Sequence, residues 1–328
     1  MSRREHAATR AWRGFTRPFS KRDLVEAAIV GVAFLLYFFV RGAVIDRPEA
    51  AYWHAIDVIN AQRKLWFFWE DNMNRWIAHR EFIAQDMNIT YFYLPFPLII
   101  ALDIWLYYFR RDRYTLARDA FLASGAIALV IYWLYPVAPP RVLPELAARF
   151  DPNAPAYVRG FLDTMREYLG YAYDTQSTRA FVNPYAAMPS LHFGWDLLLG
   201  LSIIRAFWRE RWLWIMAPIG VVLPVLQVFA ITLTANHFFL DALTGGLVAL
   251  AGIGLALIME RNVYPWVGEQ LRRSPVPALR ELAVAKERRQ AVFGQTRVLG
   301  SPDAPRSRSD SVHTPHRHRI PSRPESIR

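Results

Sequence analysis

HFFLDALTGGLVALAGIGLALIM, residues 237–259, opens on a histidine and an aspartate and then runs from Ala242 to Met259 without a charge. A helix that crosses about 30 Å of hydrocarbon needs about 20 mainly apolar residues, so this stretch reads as a membrane span with polar groups at its mouth. Five further stretches read the same way: Leu24–Val40, Tyr91–Phe109, Leu116–Val137, the run Ser190–Trp208 that follows Pro189, and Trp212–Leu233. The chain is 53% hydrophobic and 20% charged, with its apolar residues in long runs, a distribution that excludes an ordinary soluble enzyme and a disordered chain. The absence of cysteine removes disulfide scaffolds, thiolate metal sites, iron–sulfur clusters and cysteine nucleophiles. The expected fold is all-α, a polytopic membrane bundle of six transmembrane helices.

Outward from the spans, the organisation is expected in three parts. Residues 1–23 form a basic cytoplasmic N-terminus, 24–260 the six-span domain, and 261–328 a basic, largely disordered cytoplasmic tail rich in Arg, Ser, Pro and His. The basic start is long and no small-residue cleavage site follows Val40, so the first run reads as a retained span rather than a signal peptide. Within the domain, 51–88 mixes Trp53, Leu65, Trp66, Phe67, Phe68, Trp69 and Trp76 with charges and reads as an amphipathic segment lying along the membrane interface. The aromatics at 66–69 and 91–93 read as interfacial belts. Basic residues cluster at the N-terminus, at Arg110, Arg111 and Arg113, at Arg205, Arg209 and Arg211, and in the tail. By the bias of Lys and Arg toward the cytoplasm, both termini face inward in a multi-pass protein of the cell membrane. The net charge of +11 is read as membrane-facing, with no nucleic-acid partner, and the HRHR run at 316–319 as solvated rather than metal-binding.

On this topology three polar motifs share the extracytoplasmic face: YPVAPPRVLP at 135–144, NPYAAMPSLHFGWD at 183–196 and ANHFFLD at 235–241. His237 and Asp241 are four apart, which on a helix stacks them on one face, and a carboxylate that takes the proton of one ring nitrogen aims the other at a substrate. His192 follows Pro189 and Ser190 where a helix opens, and backbone N–H groups at a helix start favour an anion, with the Ser190 hydroxyl as a further donor. Arg141 offers a planar fork for two phosphate oxygens. Asp196, four residues after His192, shares its helix face, and Asn236 adjoins His237. Two histidines, an arginine, a serine and a helix start suit phosphoryl transfer, with one histidine attacking phosphorus and the other protonating the leaving oxygen. No metal and no cofactor are expected.

At these residues the chain resembles the type 2 phosphatidic acid phosphatase (PAP2) superfamily. PSLH at 189–192 is similar to that family's second signature, usually Pro-Ser-Gly-His, and HFFLD at 237–241 to the His-x-x-x-Asp end of its third. The resemblance implies a six-span helical fold and metal-independent chemistry, with His237 as the nucleophile that becomes phosphohistidine, Asp241 as its orienter and His192 as the acid. The run YPVAPPR…NPYAAMPSLHFGW…NHFFLDALTGG is more closely similar to the branch that includes inositol phosphorylceramide synthase, which implies transfer to an inositol- or sugar-like acceptor. The chain departs from the family pattern at the first-signature lysine, where Leu134 stands, after Arg141, where Val142 replaces proline, and at Ala230 and Ile231, where a Ser-Arg pair is usual. Lys64 and Arg118, with Arg63, are the cations expected to make up the missing charge.

The expected partners are therefore the bilayer, a membrane lipid carrying a phosphate or phosphodiester, and a polyol acceptor or water. The competing reading is a non-catalytic lipid-binding protein or transporter, in which His237–Asp241 is a structural pair and Arg141 a headgroup anchor. The absence of an inverted repeat weighs against transport.

Overall fold

The apolar runs of the sequence fold into helices that pack through small residues. The computed structural model describes residues 20–43, 47–169 and 185–277. The calls on 1–19, on 170–184 (which include Asn183 and Pro184 of the second polar motif) and on the tail from 278 onward, HRHR included, lie outside the described residues. The chain divides into two compact units between Val263 and Tyr264. The described part of the second unit is a helix, Tyr264–Arg273.

In the first unit the helices are α1 (Lys21–Ala43), α2 (Pro48–Lys64), α3 (Glu70–Ala78), α4 (Glu81–Tyr93), α5 (Pro95–Phe109) and α6 (Arg111–Leu134). After a 3₁₀ turn at Pro140–Val142 come α7 (Leu143–Phe150), α8 (Ala156–Arg159) and α9 (Thr164–Leu169), then α10 (Leu191–Phe207), α11 (Leu213–Leu233) and α12 (Phe239–Ile258). No strand forms among the described residues. A parallel bridge joins Val137 to Ala186. Helices α6, α11 and the one beginning at Phe239 are long and apolar enough to cross a membrane, and α4 with α5 forms a fourth candidate bent by 41°. The chain is a helical membrane protein. The bend falls at Leu94, ahead of Pro95, which has no N–H to continue the α4 ladder and fits the first turn of a new helix. The helix pair that contains the 91–109 run begins earlier, at Glu81, and is bent within it.

Close packing rests on glycines where helices cross. A Cβ at Gly245 of α12 would lie 2.1 Å from the Ser190 carbonyl oxygen, and one at Gly194 of α10 would lie 2.6 Å from the Gly245 carbonyl oxygen. Gly252 meets the Ala120 carbonyl of α6 in the same way at 2.7 Å, and Gly200 of α10 meets Gly220 of α11 at 2.0 Å. Backbones that approach this closely pack through dispersion, the attraction available to helices in lipid. Gly245→Ala is expected to push α12 off the mouth of α10, costing at least about 1–3 kcal/mol as over-packing does. A lower midpoint of thermal unfolding in detergent, with activity falling alongside it, is the expected reading.

The segment expected to lie on the membrane interface packs one face into a protein layer. Ala51, Tyr52, Ala55, Val58 and Ile59 of α2 are buried with Val137, Leu143, Phe161 and Phe238 in one core cluster. Trp53, Trp66, Trp69 and Trp76 remain exposed. An amphipathic pattern fixes that one face is covered and leaves open whether lipid or protein covers it. Here protein does, and α2, α3, α7, α8 and α9 form the layer over one end of the apolar helices.

Candidate functional site

Backbone hydrogen bonds draw the three polar motifs together at that end. Val137 N–H donates to the Tyr185 carbonyl (2.9 Å) and Ala187 N–H returns to the Val137 carbonyl (3.1 Å). Arg141 N–H donates to the Ala235 carbonyl (2.9 Å), and Ser190 N–H to the Asp241 carbonyl (2.8 Å). The Tyr132 hydroxyl, near the end of α6, donates to the Pro189 carbonyl (2.7 Å). Segments some fifty residues apart in sequence thus share one small region.

The imidazoles of His192 and His237 face each other there, ring centroids 5.8 Å apart. His192 sits in the first turn of α10, where Ser190 is the N-cap and its hydroxyl oxygen accepts from Phe193 N–H at 3.5 Å. His237 lies in the turn before α12, whose N-cap is Phe238. It is therefore outside the helix, and the expected stacking of His237 and Asp241 on one helical face is corrected. Asp241 is the third residue of α12, and its Oδ2 accepts from Phe238 N–H at 2.8 Å. The same Oδ2 stands 3.5 Å from His237 Nδ1, whereas the Ala187 carbonyl oxygen stands 2.8 Å from it. A carbonyl oxygen only accepts, so Nδ1 carries the proton and Nε2 keeps its lone pair. The carboxylate adds a buried negative charge beside the ring, and the carbonyl fixes the tautomer.

Arg141 is anchored beside His237. Its Nε donates to Asn236 Oδ1 (2.9 Å) and its Nη1 to Asp163 Oδ2 (3.0 Å). Asn236 Nδ2 in turn donates to the Thr234 hydroxyl at 2.7 Å. The backbone between them is tense, since Ala235 adopts φ 55, a left-handed conformation costing about 1 kcal/mol or more outside glycine.

Other expected site residues lie elsewhere. Arg118 pairs with Asp119 (2.7 Å) and with Glu26. It is 16 residues before the end of α6, about 24 Å along the axis at 1.5 Å per residue, so it takes no part in phosphate binding. Lys64 is exposed in the last turn of α2, and it is Gln62, two residues earlier, that accepts from Leu240 N–H at the start of α12. Asp196 is 1% exposed, and its Oδ1 has no hydrogen-bond partner among the described residues. Sharing a helix face with His192 thus does not by itself give Asp196 Oδ1 a bond to it.

Several residues at the site escaped the sequence reading. Tyr91, expected in an aromatic belt, is buried with its ring 4.3 Å from His192 and 6.0 Å from His237. Phe96 lies 6.3 Å from His192 on the other side of the bend. Glu70, hidden in an aromatic run, is fully buried and accepts from Phe239 N–H at 2.8 Å. It follows five apolar residues, a pattern that does not tell a buried acid from an exposed one. Asp163 and the Ala187 carbonyl had no sequence signal. Among the described residues no cluster of His, Asp and Glu is arranged to hold a metal ion.

Set against known proteins, residues 56–255 match a family model described as the PAP2 superfamily. No curated protein and no solved structure matched the chain.

Proposed function

Because the chain belongs to the PAP2 superfamily, a family of phosphatase-type enzymes acting on lipid phosphates, we propose that it is an integral-membrane phosphoryl-transfer enzyme working through His237 and His192. The carrying observation is the 5.8 Å separation of the two imidazoles, beside Arg141 and the open start of α10. Nε2 of His237 attacks phosphorus as the bond to the lipid oxygen breaks, giving a phosphohistidine. Protonated His192 delivers its proton to the departing oxygen. Water or an acceptor hydroxyl then attacks the phosphohistidine, His192 takes its proton, and His237 leaves as neutral imidazole. Asp241 and the Ala187 carbonyl hold the His237 ring through its Nδ1 side while the positive charge develops. Arg141 and the N–H groups that open α10, ahead of the Phe193 N–H that donates to Ser190 Oγ, receive the phosphoryl oxygens. The start of α12 is not available to phosphate, since Asp241, Glu70 and Gln62 accept from its first donors.

The spans in this proposal are six: α1, the bent pair α4–α5, α6, α10, α11 and α12. With Arg110, Arg111, Arg113, Arg205, Arg209 and Arg211 at the cytoplasmic ends, both termini lie inside and the site faces outward. The lipid enters from the bilayer with its phosphate at the histidines. The likeness of MPSLH and NHFFLD to the inositol phosphorylceramide synthase branch supports a polyol acceptor in place of water. Purified protein given a panel of lipid phosphates, with and without inositol or sugars, tests this. Phosphorylated polyol supports transfer, free phosphate alone supports hydrolysis, and neither product from any lipid overturns the reading.

The two roles also set a pH profile. Attack needs a lone pair on His237 and departure needs a proton on His192, so kcat is expected to fall on both the acid and the alkaline side of an optimum. A profile without two limbs contradicts the assignment.

A further inference from the structure

Three side chains that take no part in the reaction are fully buried against its central turn. Gln62, Glu70 and Asn74 are each 0% exposed. Asn74 Nδ2 donates to the carbonyl of Leu233, the last residue of α11, at 3.1 Å. Glu70 Oε1 accepts from Phe239 N–H at 2.8 Å and from Gln62 Nε2. Gln62 Oε1 accepts from Leu240 N–H at 3.2 Å. The chain between Leu233 and Phe239, which carries Asn236 and His237, is thus held where it leaves one helix and where it enters the next. Asn74 does more: its Nδ2 reaches the Leu162 carbonyl (3.2 Å) and its Oδ1 accepts from Leu162 N–H (2.8 Å). The next residue is Asp163, the partner of Arg141.

The chemistry of these contacts follows from what helix ends lack. The last carbonyls of α11 and the first N–H groups of α12 have no partners within their own helices, and leaving such groups buried and unpaired costs about 1–3 kcal/mol each. An amide suits the carbonyl at one end. A carboxylate suits the N–H groups at the other, where the helix dipole favours negative charge. Burial pushes the Glu70 carboxyl up from its ordinary value, while the hydrogen bonds from Gln62, Phe239 and Trp69 pull the other way. Glu70 and Asn74 are four apart and share one face of α3, so a single short helix supplies both grips.

We propose that Gln62, Glu70 and Asn74 form a positioning bracket. It fixes the 234–241 turn so that Nε2 of His237 faces His192, and through Leu162 and Asp163 it sets the guanidinium of Arg141. The catalytic part of this inference rests on the phosphoryl-transfer reading. The mechanical part does not.

Full-length Glu70→Ala, Glu70→Gln and Asn74→Ala, purified in detergent, separate the two. Hydrogen exchange over residues 233–242, read by mass spectrometry, requires no turnover. Both alanine variants are expected to exchange there at least about tenfold faster with α6 unchanged, and Glu70→Gln, which keeps an acceptor for Phe239, to stay within about threefold of the parent. On phosphatidate in mixed micelles, the alanine variants are expected to lose about 10²-fold in kcat, the effect of a misplacement near 1 Å. Their KM holds within about threefold, and Glu70→Gln recovers most of the loss. Unchanged exchange at 233–242 in both alanine variants overturns the bracket. So does a loss of kcat that Glu70→Gln fails to rescue although it restores the protection. Fast exchange in the alanine variants of a protein whose parent turns over no lipid phosphate upholds the bracket and overturns the phosphoryl-transfer reading.

Discussion

His237→Ala is expected to lower turnover of a lipid phosphate by at least about 10³-fold, because the atom that forms the bond to phosphorus is gone and nothing nearby replaces it. The fold should survive. His237 is 4% exposed, but the polar contacts of its ring are one hydrogen bond to the Ala187 carbonyl and the nearby Asp241 carboxylate. Asp241 retains its capping bond to Phe238 N–H. His192→Ala should cost less, about 10²–10⁴-fold, the usual worth of a general acid. The two variants separate on a substrate whose leaving group departs without a proton, such as a nitrophenyl phosphate. That substrate should rescue His192→Ala by at least about tenfold and leave His237→Ala inactive, since only the first lacks the proton donor. Acid-sensitive radiolabel trapped from a phosphorus-labelled substrate should appear in the parent and vanish in His237→Ala. Equal rescue of both variants would mean that the roles of the two histidines are wrongly assigned.

How much of this was legible in the sequence depends on the range of the interaction concerned. Uninterrupted apolar runs such as 242–259 announce membrane helices, because the property that drives insertion is a sum over neighbouring residues. His192, His237, Asp241 and Arg141 were legible because each stands at the mouth of such a run, and the topology then places the mouths together. What failed was geometry that depends on a one-residue boundary. With the N-cap at Phe238, His237 falls in the turn, and its strongest partner becomes a backbone carbonyl fifty residues away, a group that every residue type carries. Long-range polar contacts were equally silent. Glu70 lies 169 residues from Phe239, and nothing in WFFWED distinguishes an acid buried on a helix start from one facing water. The mistaken weight given to Arg118 has the same origin: distance along a helix was legible, but its partners Glu26 and Asp119 had to be seen.

Arg141→Lys separates a phosphate ligand from a mere structural tie, and the expected outcome is a loss of about 10²-fold in kcat/KM, or about 2.7 kcal/mol. The guanidinium already has two directions committed, Nε to Asn236 and Nη1 to Asp163. Those bonds fix the plane of the fork, and in the proposed mechanism the phosphoryl oxygens approach the guanidinium in that plane. A lysine ammonium keeps the charge but is a point donor without that plane. It can satisfy Asp163 or reach the phosphate, and a carboxylate three-quarters buried, at 24% exposure, competes strongly for it. Arg141→Ala removes the charge as well and should lose about 10³-fold, with charge-assisted bonds worth about 1.5–3 kcal/mol each. Because the phosphoryl group is most demanding where charge shifts between oxygens, the loss should fall mainly on kcat, with inhibition by inorganic phosphate weakened less. Steady-state kinetics of the three proteins on one lipid phosphate, with a melting curve for each, provide the comparison. If lysine works as well as arginine while both melt alike, Arg141 is only the tie between the 137–141 and 234–241 segments, and the phosphate's cation has to be sought among other residues.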